Sequence, residues 1–564
     1  MSLRSVEFAQ QISLSMSIPS TPLSFPIEIW DECWSYVEFP DISNLALVCR
    51  LFCQLCQRRM FRSLSLTCPG HVQPTDVQRW IKEFNALTER HIALSQDPQT
   101  ASLRSLVHRW KLRDLPSEGW DGHPCYSDQA FREVWQATRH SLVSSLPCYQ
   151  NLRSLVAYAL DIDASARTSL SQIRSLEYLK LPGCSFTSPK GPLLQLRELD
   201  LTYNSLHERV ESSTAVEFVL PDRLQRLSFQ DYDSTIDFIM PSLISFQSFV
   251  SLTHLSFTIE ADSTTDFLVL LEKTPNLLSL CIRSHLPFQH SLLPDILNAS
   301  SAPKLREIKA PIDIAALLAF ERPIATLGLR APCDSYSSFV SSLPRFFQTT
   351  AVLESLDLAI TGILPCVEIF SLILETFPGL KTVRLEFHDV SDTVGLHEVQ
   401  GDSTDDENEN VNDPARSTDS VAHLTEEEPL RRRRQRKVHR PKYFCVNPSA
   451  DMTKFSGCTI FGVHDTIPIQ VGEDGLPCQA SNTFTGLMDW VALGHARLPP
   501  NVEDLSLTQR LTPEVILPRL LTRQQQRSIL FHLSRNYPRL KSITLGAWSQ
   551  PWKRVGGDFW EEPS

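Results

Sequence analysis

The sequence predicts an α/β chain in which parallel strands line one side of a stack, helices cover the other, and a small helical module comes first. Three observations predict it. The pattern LxxLxL recurs along the chain, and successive copies in its first block start about 20 to 29 residues apart. Apolar segments at helical spacing lie between copies and run into a proline, after which the next copy begins two residues later, as at Pro275 and Pro378. Ahead of all this, residues 24–66 carry two apolar stripes in steps of three and four.

Taken in order, residues 1–22 are Ser-rich and broken by Gln and Glu, which reads as a flexible tail without a secretory signal. Pro26 suits a first helical turn, where its missing N–H had no partner, and Glu28 lies where the helix dipole favours a carboxylate. Trp30, Cys33, Trp34 and Val37 share one face. Pro40 and Asp41 break the run, with Asp41 as N-cap of the next helix. Ile42, Leu45, Val48, Phe52 and Leu55 form the second stripe, Met60 and Phe61 close the unit, and residues 62–66 (RSLSL) alternate like a strand. These apolar side chains exceed what so small a core can bury, so the surplus implies a partner protein.

The order Phe25-Pro26-x-Glu28-Ile29-Trp30, Asp41-Ile42, Leu47-Val48-Cys49-Arg50-x-Phe52 and Met60-Phe61-Arg62 resembles an F-box, in the form common among fungal F-box proteins. The resemblance covers residues 23–66. It implies a three-helix unit that docks on the Skp-type adaptor of an SCF ubiquitin ligase, and through it on a cullin-RING scaffold. By the same resemblance Phe25, Pro26, Ile29, Trp30, Leu45, Val48, Phe52 and Leu55 are the adaptor-binding or supporting residues. Phe25 stands where the family usually has Leu, Phe52 where it often has Trp, and Cys33 where a larger aliphatic is usual.

The repeats come next. Leu152-Arg-Ser-Leu155 is a partial copy. Leu176-Glu-Tyr-Leu179-Lys-Leu181 and Leu196-Arg-Glu-Leu199-Asp-Leu201 are full ones, and further copies start at Leu224, Leu252, Leu277, Leu305, Ile324, Leu353 and Leu380. After a gap, copies resume at Val502 and Leu540. Alternation buries residues such as Leu179 and Leu181 and turns Tyr178 and Lys180 outward. Residues 74–90 and 127–145 look helical, so 67–150 read as degenerate first repeats or linker. The pattern resembles that of leucine-rich-repeat proteins, which close each copy with a polar residue. Cys184 and Asn204 hold that place here, where a side chain satisfies backbone groups between turns. The expected fold is therefore α/β: an N-terminal three-helix F-box, then an irregular leucine-rich-repeat solenoid over 151–390 and 443–564, its parallel sheet concave and its helices outside.

Residues 391–442 do not belong to that pattern. From Glu398 to Glu428 eleven carboxylates face one basic residue, Arg416, a composition too poor in apolar groups to order itself. The run Arg431, Arg432, Arg433, Arg434, Arg436 and Lys437 comes directly after. It reads either as a nuclear-import or anion-binding element or as a solvated linker neutralising its acidic neighbour.

Other classes find little support. The chain has 564 residues and a formal charge of −12, and no apolar run approaches the roughly eighteen residues a membrane span needs. Fourteen scattered cysteines suit reduced thiols in cytoplasm or nucleus. Cys53-x-x-Cys56 has the spacing of half a zinc site without a second pair nearby, and no phosphate-binding glycine loop, GxSxG or HExxH is present. No catalytic residue, cofactor or metal is expected. The outward strand positions from Tyr178 to Thr544 hold four basic and five acidic groups, a mixture suited to reading a protein and not to tracking phosphates. The expectation is a non-enzymatic substrate-recognition subunit of an SCF ligase with an unknown target protein. The alternative is a leucine-rich-repeat scaffold or regulator working outside any ligase.

Overall fold

The computed structural model describes residues 27–37, 39–67, 77–113, 129–158, 160–186, 191–202, 219–230, 236–258, 264–283, 298, 300–333, 346, 349, 351–361, 366–388, 443–445, 484–492, 497–510, 521, 523–546, 551–556 and 559–561. Phe25, Pro26, Asn204, the 391–442 segment with its basic run, and residues 1–22 lie outside them. The chain divides into two compact units, Met1–Ala331 with Ser337–Leu353, and Pro332–Tyr336 with Glu354–Ser564.

In the first unit α1 (Ile27–Ser35), α2 (Phe39–Leu45) and α3 (Arg50–Phe61) lead straight into β1 (Ser63–Thr67). Helices α4 (Val77–Gln96) and α5 (Ala101–Arg104) connect β1 to β2 (Arg109–Arg113), and α6 (Gln129–Ser145) leads on to β3 (Ser154–Ala157). Next come β4 (Asp161–Ile162), α7 (Ala164–Gln172), β5 (Tyr178–Pro182), β6 (Ser185–Phe186), β7 (Glu198–Thr202) and β8 (Arg226–Gln230). After these stand α8 (Ile236–Ser245), β9 (His254–Thr258), α9 (Thr264–Glu272), β10 (Ser279–Arg283), β11 (Glu307–Ala310), α10 (Ile312–Ala319) and β12 (Thr326–Cys333).

Strands β1, β2, β3, β5, β7, β8, β9, β10, β11 and β12 pair in that order, all parallel. Their register puts large apolar residues in line: Leu64, Trp110, Leu155, Leu179, Leu199, Leu227, Leu255, Leu280, Ile308 and Leu327. A slip of one residue would turn that whole row out of the core, so the leucine phase sets the pairing. Outward and buried positions alternate in β3, β5, β7 and β11. Residues 67–150 thus contribute a full strand, in which Val107-x-x-Trp110-x-Leu112 is a copy with Val and Trp in place of Leu, and ahead of that span Phe61-x-x-Leu64-x-Leu66 is another. Helices α4 and α6 form a core of their own from Val77, Phe84, Phe131 and Trp135, against which Leu66 of β1 packs. Cys184 does what its place suggested. Its Sγ accepts from Leu160 N at 3.3 Å and donates to Ala157 O at 3.2 Å, joining adjacent turns.

The second unit holds β13 (Ser355–Thr361), α11 (Cys366–Thr376), β14 (Thr382–His388), β15 (Tyr443–Cys445), α12 (Phe484–Ala492), β16 (Asp504–Arg510), α13 (Arg523–Asn536), β17 (Ser542–Gly546), β18 (Trp552–Gly556) and β19 (Phe559–Glu561). Strands β13, β14, β16 and β17 are parallel neighbours. β14 and β16 pair over seven residues although 115 residues separate them, so the long segment is an excursion within one repeat. α12 fills the helix place of that repeat, with Phe484 5.7 Å from Phe387 and Trp490 5.6 Å from Phe370 between ring centroids. β18 runs antiparallel to β17, β19 to β18, and β15 to β19. That hairpin covers the open edge of β17, a row of unpaired backbone groups that would otherwise invite pairing with another chain. Among the described residues no helix is long and apolar enough to cross a membrane.

Candidate docking site

The N-terminal module differs from its sequence reading in two places. Asp41 is not the N-cap of α2: the helix begins at Phe39, and Asp41 sits exposed in its first turn, where its charge still suits the dipole. The stripe from Ile42 to Leu55 is not one helix. After α2 the chain tightens through Leu47 N to Asn44 O and Val48 N to Leu45 O, both 3.1 Å. Cys49 then turns extended (φ −159°), and its Sγ accepts from Phe52 N at 3.4 Å to cap α3. Residues 46–49 therefore form a corner, and Leu47 and Val48 stand on it.

Trp34, Ile42, Ala46, Leu55, Cys56 and Met60 make the buried core of the module. Trp30, Trp34 and Phe52 form an aromatic triangle with centroids 5.9, 5.2 and 4.7 Å apart, the closest pair edge to face. Trp30, Leu45 and Phe52 are half-buried against that core. Leu55, expected among the adaptor-binding or supporting residues, is buried inside the module. Ile29 and Val48 are bare, at 49% and 63% exposure. Leu47, at 57%, joins them. The apolar stripes miss Leu47 because it falls between their positions, and only the corner turns it outward. Cys53 and Cys56 point into the protein, where burial pushes both thiols above their ordinary range. Among the described residues no group of three His, Cys, Asp or Glu could hold a metal ion.

The outward row of the parallel strands is a second candidate surface. Lys180 Nζ lies 2.6 Å from Asp200 Oδ2, Lys309 Nζ 2.7 Å from Glu307 Oε1, and Arg226 Nε 3.9 Å from Glu198 Oε1. Burial and the nearby Asp200 carboxylate raise the Tyr178 phenol, whereas hydrogen bonds from Lys309 and Ser279 hold the Glu307 carboxyl low against its desolvation. Lys309 lies along the strand row in space left by Gly328, whose Cβ would stand 2.8 Å from Lys309 Cγ. Cations and carboxylates neutralise one another over most of this row. Comparison with protein-family models finds no match to this chain, and comparison with curated proteins finds none either.

Proposed function

We propose that this chain is the substrate-recognition adaptor of an SCF-type ubiquitin ligase, acting in cytoplasm or nucleus. In this reading α1 to α3 are an F-box that docks a Skp-type adaptor, and the strand ladder is a run of leucine-rich repeats that holds a target protein. The observation that carries it is the bare apolar group Ile29, Leu47 and Val48 on a module whose own core is already filled. Burying each such side chain against a partner contributes about 1.5–3 kcal/mol. No residue of the chain breaks or makes a bond in this scheme. The two surfaces raise the effective concentration of target lysines near the charged conjugating enzyme.

The test uses surface positions. Phe52 wedges between Trp30 and Trp34, so a charge there would disrupt the module itself. Ile29→Asp with Val48→Asp should abolish co-purification of the Skp-type adaptor and leave the far-ultraviolet circular dichroism unchanged. Adaptor binding retained by the double variant rejects the proposal. The second reading, a leucine-rich scaffold outside any ligase, has one observation in its favour: α3 packs on α5 and runs directly into β1, so part of the module rests on the chain's own body. Limited proteolysis separates the two, since an adaptor-dependent module gains protection only when the partner is added.

A further inference from the structure

The geometry points to a second recognition surface: a cluster of cationic side chains at the starts of β1, β2 and β3, built from Arg62, Arg109 and Arg153 around His108, that binds a carboxylate-rich segment of a partner protein. Arg62 precedes β1, Arg109 opens β2 and Arg153 precedes β3. The backbone stitches these points together. His108 N and Arg109 N both donate to Arg62 O at 3.0 Å, while Arg153 N and Ser154 N donate to His108 O at 2.9 and 3.0 Å. Adjacent strands lie about 4.8 Å apart, so three guanidiniums start within about 10 Å of one another. All three arginines are exposed. His108 registers their proximity: burial is the first cause lowering its pKa, and Arg62, Arg153 and Arg109 are the next.

Arg109 stands in the outward row, and Arg62 and Arg153 stand one residue ahead of it, level with His108. Farther along, Lys180, Arg226 and Lys309 each have a carboxylate partner. Among the described residues Arg62, Arg109 and Arg153 are in no ion pair. Glu177, whose N–H donates to Arg153 O, is the neighbouring acid and forms none with it. Three like charges held close together repel one another, and a carboxylate ligand relieves that repulsion. Guanidinium forks match carboxylates in two-point geometry. Ser63 and Ser154, in register on either side of Arg109, add hydroxyls at the same level. A nucleic acid fits less well. Its phosphates need a long basic track, and the row turns acidic within a few strands at Glu198 and Asp200. A short acidic peptide needs only the cluster. The inference does not rest on the ligase reading, because it uses none of Ile29, Leu47 and Val48.

The test is fluorescence anisotropy on the full chain. The probes are a labelled alternating Glu–Asp peptide, a neutral Gly–Ser peptide of equal length, and a single-stranded oligonucleotide of matched charge. The acidic peptide should bind, and added salt should weaken it. Arg109→Glu with Arg153→Glu should weaken binding by at least about tenfold, while Arg226→Glu changes it by less than about twofold. Should the charge-reversed chain fail to fold, Arg109→Gln with Arg153→Gln keeps the comparison. The proposal is overturned if the acidic peptide does not bind, if the double variant binds it unchanged, if the neutral peptide binds equally, or if the oligonucleotide binds more tightly with the same dependence on Arg109 and Arg153.

Discussion

Arg322 is fully buried, and its guanidinium is held by carbonyls alone. Nε and Nη2 donate to Ser301 O at 3.1 and 2.9 Å, Nη2 to Asn298 O at 2.9 Å, and Nη1 to Phe320 O and Leu318 O at 2.9 and 3.3 Å. The last two belong to the end of α10, whose dipole places partial negative charge there. Burial lowers the Arg322 pKa, and the Glu321 carboxylate opposes that. Arg322→Met should destabilise the first unit by about 3 kcal/mol in urea unfolding, because the carbonyls lose their donors in a dry site. His91 is a pH-sensitive residue of the same unit. It is buried against Trp110 and Tyr149 and hydrogen-bonded to Ser145 Oγ, and burial brings its pKa down to about 4. Ser145 Oγ donates to Leu142 O, so Nε2 of His91 carries the imidazole proton. The folded pKa lies below the unfolded one, so the unfolded chain takes up the proton first. Stability is complete above about pH 6.5 and falls as pH drops toward 4, by about 2–3 kcal/mol. His91→Gln should flatten that dependence in urea midpoints measured from pH 7 to pH 4.5.

Among the elements, the hairpin β18–β19 has the clearest consequence. Trp560 is wholly buried, its indole N–H donates to Ser534 Oγ of α13 at 2.9 Å, and Arg554 lies 5.9 Å from its ring centroid. Trp560→Ala should cost the second unit about 3–5 kcal/mol in urea unfolding. It should also speed amide exchange along the uncovered edge of β17. The excursion between β14 and β16 makes the opposite case. Both strands pair in full register across it. Excising residues 391–442 and joining the ends with a short linker should shift the melting temperature by no more than a few degrees, since closure entropy depends only logarithmically on loop length. A large loss would mean that the excised segment supplies packing.

For the whole molecule, the division into two compact units predicts a calorimetric unfolding enthalpy larger than the van't Hoff enthalpy, the mark of more than one cooperative transition. A single two-state transition would reject that. Most of the ladder is legible in the sequence because strand burial has a period of two and leucine marks it. Legibility fails where chemistry substitutes for leucine. Trp110 and Val107 fill the same buried places with different side chains, so β2 reads only as part of a degenerate repeat or linker. Missing β2 also hides Arg109, and with it the cation cluster, because a face can be tallied only when its strands are known. In the helical module the apolar stripes are visible, but the division between Leu55 inside and Val48 outside is not: both are apolar at helical spacing, and only the corner at Cys49 separates them. The sequence by itself determined that strands alternate with helices, and which residues of each strand turn inward, because those depend on local periodicity. The tertiary structure alone decided which apolar residues of the module stay bare, that the β18–β19 hairpin covers β17, and which cations have no ion pair among the described residues. Those depend on neighbours distant in the chain, which no local pattern records.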